Sequence, residues 1–259
     1  RPDPWIEMAM KDLATFNDPR ERGEALGALS QMAAEAGDRH TLDAVAEQVR
    51  AWHATEEQTR QADRLWMHLA RGYARLGRIE QAEAAAGERR EAQLQVVNVL
   101  AEHGRIEDAR RQTDRIPPAQ RDGQAIAFIA IRLDPARQWD QIEALIDVPT
   151  EPVHRDRVRL WVLNETLNRD MTDLAAQLAQ AMETAEATDD AWERYAGHQH
   201  AKGRDASTEV ALQRVSDAAR RQRLREVWAE ATARRGRAGD MRGAPGSEKH
   251  VAVLDAVKQ

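Results

Sequence analysis

The sequence has no cysteine, few aromatic residues other than tryptophan, and no long apolar run. Without cysteine, the chain can form no disulfide, no thiolate nucleophile and no cysteine-ligated zinc site. Only 2 Tyr and 2 Phe occur, and β-branched residues are scarce, so the residues typical of strands are missing. No run approaches the roughly 20 apolar residues of a membrane span, and no segment resembles a signal peptide.

Residues that favour helices dominate what is present. Ala, Glu, Gln, Arg and Leu lose little side-chain freedom in a helix, so the composition predicts an all-α protein. The mean hydropathy is -0.72, yet 42% of the residues are hydrophobic and recur at helical spacing, which indicates a thin, extended core. A net charge of -6 gives the whole chain no electrostatic reason to bind a polyanion, so nucleic acid is the less favoured partner.

A helix-ending signal recurs along the chain. The signals are usually a glycine followed by a polar or basic residue, and they fall at Gly37, Gly77, Gly104, Asp134, Asp170, Gly203 and Gly236. Glycine suits the left-handed backbone that commonly ends a helix. The signals therefore predict a series of helix, tight turn, helix pairs.

A large apolar residue followed by a mostly small one precedes every turn. The large residue lies eight positions before the turn residue, and the mostly small one lies seven positions before it. The pairs are Leu29 and Ser30, Leu69 and Ala70, Val96 and Val97, Ile126 and Ala127, Val162 and Leu163, Tyr195 and Ala196, and Trp228 and Ala229. A bulky side chain beside a small one lets two helices approach closely. Neither helix of a pair can bury its apolar face alone, so we expect the pairs to stack against their neighbours.

These features predict one helical repeat domain over residues 1–259. Residues 1–16 are predicted as an N-terminal capping helix and residues 17–233 as the helix pairs. The Arg- and Gly-rich residues 234–246 are predicted as a loosened connection, and residues 247–259 as a C-terminal capping helix.

One pair resembles the tetratricopeptide repeat. The pattern is an aromatic residue, a leucine, a small residue and a tyrosine in the first helix and an alanine in the second, here Trp66, Leu69, Ala70, Tyr73, Gly77 and Ala82. Trp192, Tyr195, Ala196 and Gly203 repeat part of it. The resemblance covers residues 20 to 245 and implies a right-handed α-solenoid of about seven antiparallel helix pairs. HEAT-type and pentatricopeptide-type arrays follow the same packing logic and stay open.

The resemblance also implies a binding groove on the first helices. Transferring the groove positions of such arrays gives Arg64, Arg71, Arg75, Asn98, Arg157, Asn164 and Asn168. Arg offers a charged fork and Asn an amide that both donates and accepts, so these residues suit a carboxylate or the backbone of an extended peptide. The expected partner is a protein or an extended peptide.

No motif for catalysis, a cofactor or a metal is present. The glycine-rich phosphate loops and the nucleophile elbow are absent from the sequence. His198 and His200 are two residues apart and would point to different faces of a helix, a poor geometry for one metal ion. We therefore expect no catalytic residue, no cofactor and no metal site, and we predict that the protein is not an enzyme.

Two further groups of side chains have alternative interpretations. Most of the tryptophans fall on apolar stripes and are expected in the core, whereas Trp52 and Trp161 would become partner anchors if exposed. The basic run of Arg220, Arg221, Arg223 and Arg225 is expected to be a solvated helix face balanced by Glu226 and Glu230.

Three functions stay open at this point. A scaffold or adaptor that binds a peptide or protein is favoured; a nucleic-acid-binding helical repeat and a helical domain of an unrecognised enzyme are the alternatives. Because the chain begins with Arg1, we expect that a leader or a preceding domain belongs to the protein. A cytoplasmic location is favoured, and the sequence indicates no oligomeric state.

Overall fold

The computed structural model describes residues 4–13, 18–51, 56–117 and 121–243. The fold is all-α, with 79% helix and no strand in this part of the chain, so the predicted all-α class is confirmed. The described residues form 14 helices. They are α1 (Pro4–Asp12), α2 (Pro19–Ala36), α3 (Arg39–Arg50), α4 (Glu56–Arg75), α5 (Ile79–Ala86), α6 (Arg90–Glu102), α7 (Ile106–Arg115), α8 (Gln124–Ala130), α9 (Trp139–Ile146), α10 (Pro152–Asn168), α11 (Thr172–Gln180), α12 (Ala185–Ala201), α13 (Asp205–Arg214) and α14 (Ala218–Gly243).

Five of the predicted helix-ending turns share one backbone geometry. Positive φ angles of 72°, 71°, 71°, 57° and 71° occur at Gly37, Gly77, Gly104, Asp170 and Gly203. In each turn the next residue donates its backbone N–H to the carbonyl five residues back, over 2.7 to 2.9 Å. This bond satisfies a carbonyl that the helix end leaves without a partner. The turn signals therefore identify real helix ends.

Two of the predicted turns are wrong. Helix α8 ends at Ala130, four residues before Asp134, and Pro135 disfavours helical backbone at Asp134 itself. Helix α14 passes through Gly236 and continues to Gly243, where the sequence predicted a loosened connection. The strong helix formers Ala, Arg and Met around Gly236 offset the roughly 1 kcal/mol that a helical glycine costs. The predicted closing helix at 247–259 lies outside the described residues.

The bulky and small pairs occupy the core along most of the chain. Leu29, Leu69, Val96, Ile126 and Val162 are all buried, and so is the residue that follows each of them. Tyr195 is half-buried beside the buried Ala196, whereas Ala229 is exposed. The apolar pattern therefore predicts the packing correctly as far as α12 and fails in α14.

Helices contact their neighbours in an ordered way. The first helix of each pair packs against the first helix of the next pair: α2 against α4, α4 against α6, and α6 against α8. The second helices α3, α5 and α7 pack against α4, α6 and α8, respectively. The chain divides into two compact units, Arg1–Glu165 and Thr166–Gln259. In the second unit, α12 packs against both α11 and α13. The predicted single domain and its handed superhelix stay predictions.

Tyr73, the tyrosine of the repeat-like signature, has a structural role. Its hydroxyl donates to Asp43 Oδ1 over 2.8 Å, and Arg78 Nη1 donates to the same carboxylate over 2.9 Å. The Arg78 guanidinium also lies 5.1 Å from the centre of the Tyr73 ring. Burial and the Asp43 charge raise the pKa of Tyr73. This network ties α3 to α4 and to the start of α5.

Candidate binding surface

A row of four basic residues follows one face of α4. Arg64, His68, Arg71 and Arg75 are spaced by four, three and four residues, which places their side chains on one side of the helix. Three of the four are groove residues predicted from the sequence. His68 is the member that sequence reasoning missed, although its spacing from Arg64 and Arg71 carries the signal.

The arginines of this row have no partner among the described residues. No side-chain hydrogen bond or ion pair within the described part of the chain involves Arg64, Arg71 or Arg75, and the Nε atom of Arg71 is buried without an acceptor. Other arginines of the same compact unit are paired, as Arg78 is with Asp43 and Arg115 with Glu83. A buried donor without an acceptor is rare in native proteins and costs free energy. The row is therefore equipped to bind a ligand that brings acceptors.

A cleft adjoins this row on the side of α2. Its volume is about 390 Å³. We call it the α2–α4 cleft, and its lining consists of Arg20, Gly23, Glu24, Gly27, Ala28, Gln31, Arg64, Leu65 and His68. An added Cβ on Gly27 would lie 3.6 Å from Leu65 and 3.7 Å from His68. A larger side chain at Gly27 would therefore fill the cleft.

The cleft environment favours the neutral form of His68. Burial lowers the pKa of His68, and the charges of Arg71 and Arg64 lower it further. Burial and like charges both disfavour the imidazolium form. An anion between these groups would act in the opposite direction.

The remaining predicted groove residues have different surroundings. Asn98, half-buried on α6, donates its amide to Glu102 Oε1 over 3.1 Å, and α6 packs against α4. Arg157 is paired with Asp122, whose backbone carbonyl it also contacts at 3.0 Å. Asn164 is half-buried on α10. Asn168 is exposed and belongs to the second compact unit.

The structure therefore brings Arg64, Arg71 and Arg75 together on one helix face. It places Asn98 on the adjacent helix. Arg157 is already engaged in an ion pair, so it has less capacity for a partner than the sequence suggested.

Trp161 is exposed, which is the condition under which the sequence predicted it to be an anchor for a partner. It is 37% exposed, and its ring meets that of Phe128 edge-on with the ring centres 5.4 Å apart. Sequence reasoning missed Phe128. This residue lies six positions before Asp134, just as Arg71 and Asn98 lie six positions before the turns at Gly77 and Gly104. Trp52 lies outside the described residues.

The expectation that most tryptophans form the core is wrong for the described part of the chain. Of the five tryptophans whose side chains the structure describes, Trp192 is buried, Trp161 is exposed, and Trp66, Trp139 and Trp228 are half-buried. Trp66 supports the guanidinium of Arg89, which lies 5.4 Å from its ring centre. A large ring on a thin helical layer reaches the surface with one edge, which explains the partial burial.

The two neighbouring histidines point to different elements. His198 Nε2 lies 2.9 Å from Asp170 Oδ1, whereas His200 stacks on Trp228 with ring centres 5.2 Å apart. Asp170 also accepts from Arg204 Nη2 over 3.0 Å. Hydrogen bonds from His198 and Arg204, together with the charges of Arg204 and Lys202, lower the pKa of Asp170 to about 2.

We expect this cluster to make the protein sensitive to acid. Because the folded pKa lies below the ordinary value of 3.8, the contribution of Asp170 to stability is present above pH 3.8 and lost as the pH falls towards 2. In the variant Asp170→Asn, the new side chain tolerates the φ of 57° as aspartate does, but it has no carboxyl group to titrate. The unfolding free energy of this variant, measured by urea denaturation, should depend less on pH between about 4 and 2.

The exposed carboxylate three residues further along provides the control. Asp173→Asn should leave the pH dependence of the parent protein unchanged. Parallel stability curves for the parent and Asp170→Asn would contradict the assignment.

Two arginines of the basic run on α14 are paired with acids of other helices. Arg220 donates to Asp190 Oδ1 over 2.6 Å and also contacts Glu193, and Arg225 pairs with Glu209. The ion pairs of Arg220 and Arg225 therefore run to α12 and α13, whereas the sequence predicted a balance by Glu226 and Glu230 on α14 itself. These pairs fasten α14 to α12 and α13.

A second cavity lies in the first compact unit. It has a volume of about 260 Å³, an apolar floor that includes Leu94 and Ile126, and a rim that includes Asp122 and His154. Burial tends to raise the pKa of Asp122, but the hydrogen bond from Gln124 and the charges of Arg157 and Arg90 leave it lowered. The carboxylate is thus neutralised by two arginines, which is the arrangement of a structural ion pair.

Comparison with protein-family models, with curated proteins and with solved structures finds no match for this chain. Among the helices of the described residues, none has the length and apolarity needed to cross a lipid bilayer.

Proposed function

We propose that this protein is a binding module, a right-handed α-solenoid of the tetratricopeptide type that holds an extended peptide or a segment of a partner protein. The binding surface is the first-helix wall, which we define as Arg64, Arg71 and Arg75 of α4 with Asn98 of α6. The observation that carries the proposal is that the side chains of Arg64, Arg71 and Arg75 have no partner among the described residues.

The chemistry of the wall suits an extended polypeptide. The arginines supply N–H donors in a planar fork, and the Asn98 amide can both donate and accept. An extended peptide has regularly spaced carbonyl and N–H groups along its backbone, and it also carries carboxylates at acidic residues. The ordered contacts of α4 with α2 and α6 hold the wall on rigid elements, so little ordering free energy is spent on binding.

The pair formed by the exposed Trp161 and the half-buried Phe128 supports a polypeptide partner. Aromatic residues contribute disproportionately to binding where they are partly exposed on a rigid surface. Both lie in the same compact unit as the wall. A partner that bound the wall through polar groups could add an apolar side chain at this pair.

A peptide selection tests the proposal. Random twelve-residue peptides displayed on phage are selected on the purified protein, and the affinities of the recovered peptides are measured by fluorescence anisotropy. Arg71→Glu with Asn98→Ala should weaken binding by at least about a hundredfold, because a repulsive charge replaces a partly buried donor. Helicity and the melting temperature should stay unchanged, because neither side chain holds two helices together.

A matched variant separates the wall from total charge. Arg39→Glu makes the same charge change at an exposed position of α3, outside the wall, and should leave peptide affinity unaltered. If the double variant bound the selected peptides as tightly as the parent protein, the first-helix wall would not be the binding surface.

A further inference from the structure

The α2–α4 cleft adds a histidine, an apolar side and open space to two arginines of the first-helix wall. Arg64 and His68 line it from α4, and Arg71 follows one turn along the same face. Leu65 supplies an apolar wall, and Gly27 leaves the space open. The only charges that α2 places in the cleft are Arg20 and Glu24, whose side chains pair with each other over 3.3 Å.

We infer that the α2–α4 cleft binds a carboxylate of an acidic peptide segment and that His68 takes up a proton when the carboxylate enters. The inference rests on the proposed function, and it names the chemistry of the segment that the first-helix wall would hold.

The geometry favours a carboxylate. Arg64 and Arg71 are two guanidinium groups without a partner among the described residues, and Arg71 keeps a buried Nε that lacks an acceptor. Arginine binds carboxylates through paired N–H donors, and such charge-assisted hydrogen bonds are about twice as strong as neutral ones. A volume of about 390 Å³ is larger than a carboxylate needs, so the carbon chain of a glutamate also fits beside Leu65.

The proton follows from the charges around His68. In the free protein, burial lowers the pKa of His68, and Arg71 and Arg64 lower it further. From α2, Arg20 and Glu24 line the same cleft, but they compensate each other as an ion pair. A bound carboxylate would neutralise the effect of the arginines and favour the imidazolium. By linkage, binding then becomes tighter as the pH falls below the ordinary range of histidine.

The acids near the cleft favour a peptide over a nucleic acid. Glu24 lines the cleft itself, and Glu102 lies beside Asn98 on α6. Glu24 is paired with Arg20 and Glu102 with Arg132, so acids and bases alternate along this surface. Such a surface suits a peptide, which can place single acidic residues where the arginines are, better than a continuous polyanion. The net charge of -6 further opposes a nucleic acid, because its binding depends on a positive surface that releases counterions.

Calorimetric titration of the whole chain with a defined peptide tests the inference. The probe is a ten-residue peptide of alternating Glu and Ser, and its control is the corresponding Gln and Ser peptide. We expect the Glu peptide alone to bind, about threefold or more tightly at pH 5.5 than at pH 7.5. The peptide carboxylates stay largely ionised at both pH values, so they do not account for this difference.

Variants assign the effect to the cleft. Arg64→Gln should weaken binding of the Glu peptide about tenfold, which is the loss expected for one charge-assisted interaction. His68→Gln should keep the affinity at pH 7.5 within about threefold and abolish its dependence on pH. Arg39→Gln on α3 removes an exposed arginine elsewhere in the same compact unit and should change neither property.

The outcomes separate this inference from the proposed function. If Arg71→Glu with Asn98→Ala abolished binding of the Glu peptide, whereas Arg64→Gln and His68→Gln both behaved as the parent protein, the cleft assignment would be overturned and the binding module retained. Phage-selected peptides without acidic residues would have the same consequence. Preferential binding of oligothymidylate, with a steep salt dependence that Arg64→Gln reduces, would overturn both in favour of a nucleic-acid partner.

Discussion

Exchanging Leu69 and Ala70 is expected to lower the free energy of unfolding by about 5 kcal/mol. Both side chains are fully buried in α4. Leu69→Ala removes two methyl groups and a methine from the core, a change that costs about 3 kcal/mol because the cavity collapses only in part. Ala70→Leu adds the same atoms where no space exists, which costs about 2 kcal/mol. The two effects involve adjacent residues, so their sum is approximate.

The loss would be large compared with the stability of an ordinary domain, which is roughly 5–15 kcal/mol. Composition, charge and helix propensity stay the same in the exchanged protein, so only the order of the bulky and the small residue is tested. Urea denaturation followed by circular dichroism measures the change, provided that the slope of the transition is preserved.

The chain contains its own control for this exchange. Trp228 and Ala229 follow the same sequence pattern, but Ala229 is exposed and Trp228 is half-buried against His200. Exchanging these two residues should cost less than about 2 kcal/mol, mainly through the lost ring stacking. Equal losses for the two exchanges would show that the pattern at Leu69 and Ala70 does not reflect packing between helices.

Local signals in the sequence explain why much of the fold was predictable. The turns at Gly37, Gly77, Gly104 and Gly203 follow from the backbone freedom of glycine, which depends little on distant residues. Asp170 was also identified, and it is the only non-glycine residue of the described chain with a positive φ. Its paired contacts with His198 and Arg204 help to hold that conformation.

The candidate site was less accessible to sequence reasoning, because side-chain pairing decides it. Arg71 and Arg157 were predicted on equal grounds, yet Arg157 is paired with Asp122 and Arg71 has no partner among the described residues. The partner of Arg157 lies 35 residues away in the sequence, so a local sequence pattern cannot predict the pairing. His68 was likewise missed, since its role depends on the cleft that α2 forms against α4.

Replacing Gly123 by alanine is the second change with a large expected effect, about 3 kcal/mol of lost stability. Gly123 has a φ of 83°, and an added Cβ would lie 2.6 Å from the backbone carbonyl oxygen of His154. The left-handed conformation costs an alanine about 1–2 kcal/mol. The clash adds to this cost because the Cβ would meet a backbone oxygen of His154, which cannot move away as the end of a flexible side chain can.

Gly104→Ala isolates the part of that cost due to the backbone conformation. Gly104 has a similar φ of 71°, but no heavy atom lies within 4 Å of the added Cβ. Its replacement should cost only about 1 kcal/mol, because alanine also restricts the unfolded chain. Urea denaturation of both variants measures the difference, and equal losses would contradict close packing at Gly123. Sequence patterns identified Gly104 because it ends a helix, whereas Gly123 precedes one and owes its small size to the contact with His154.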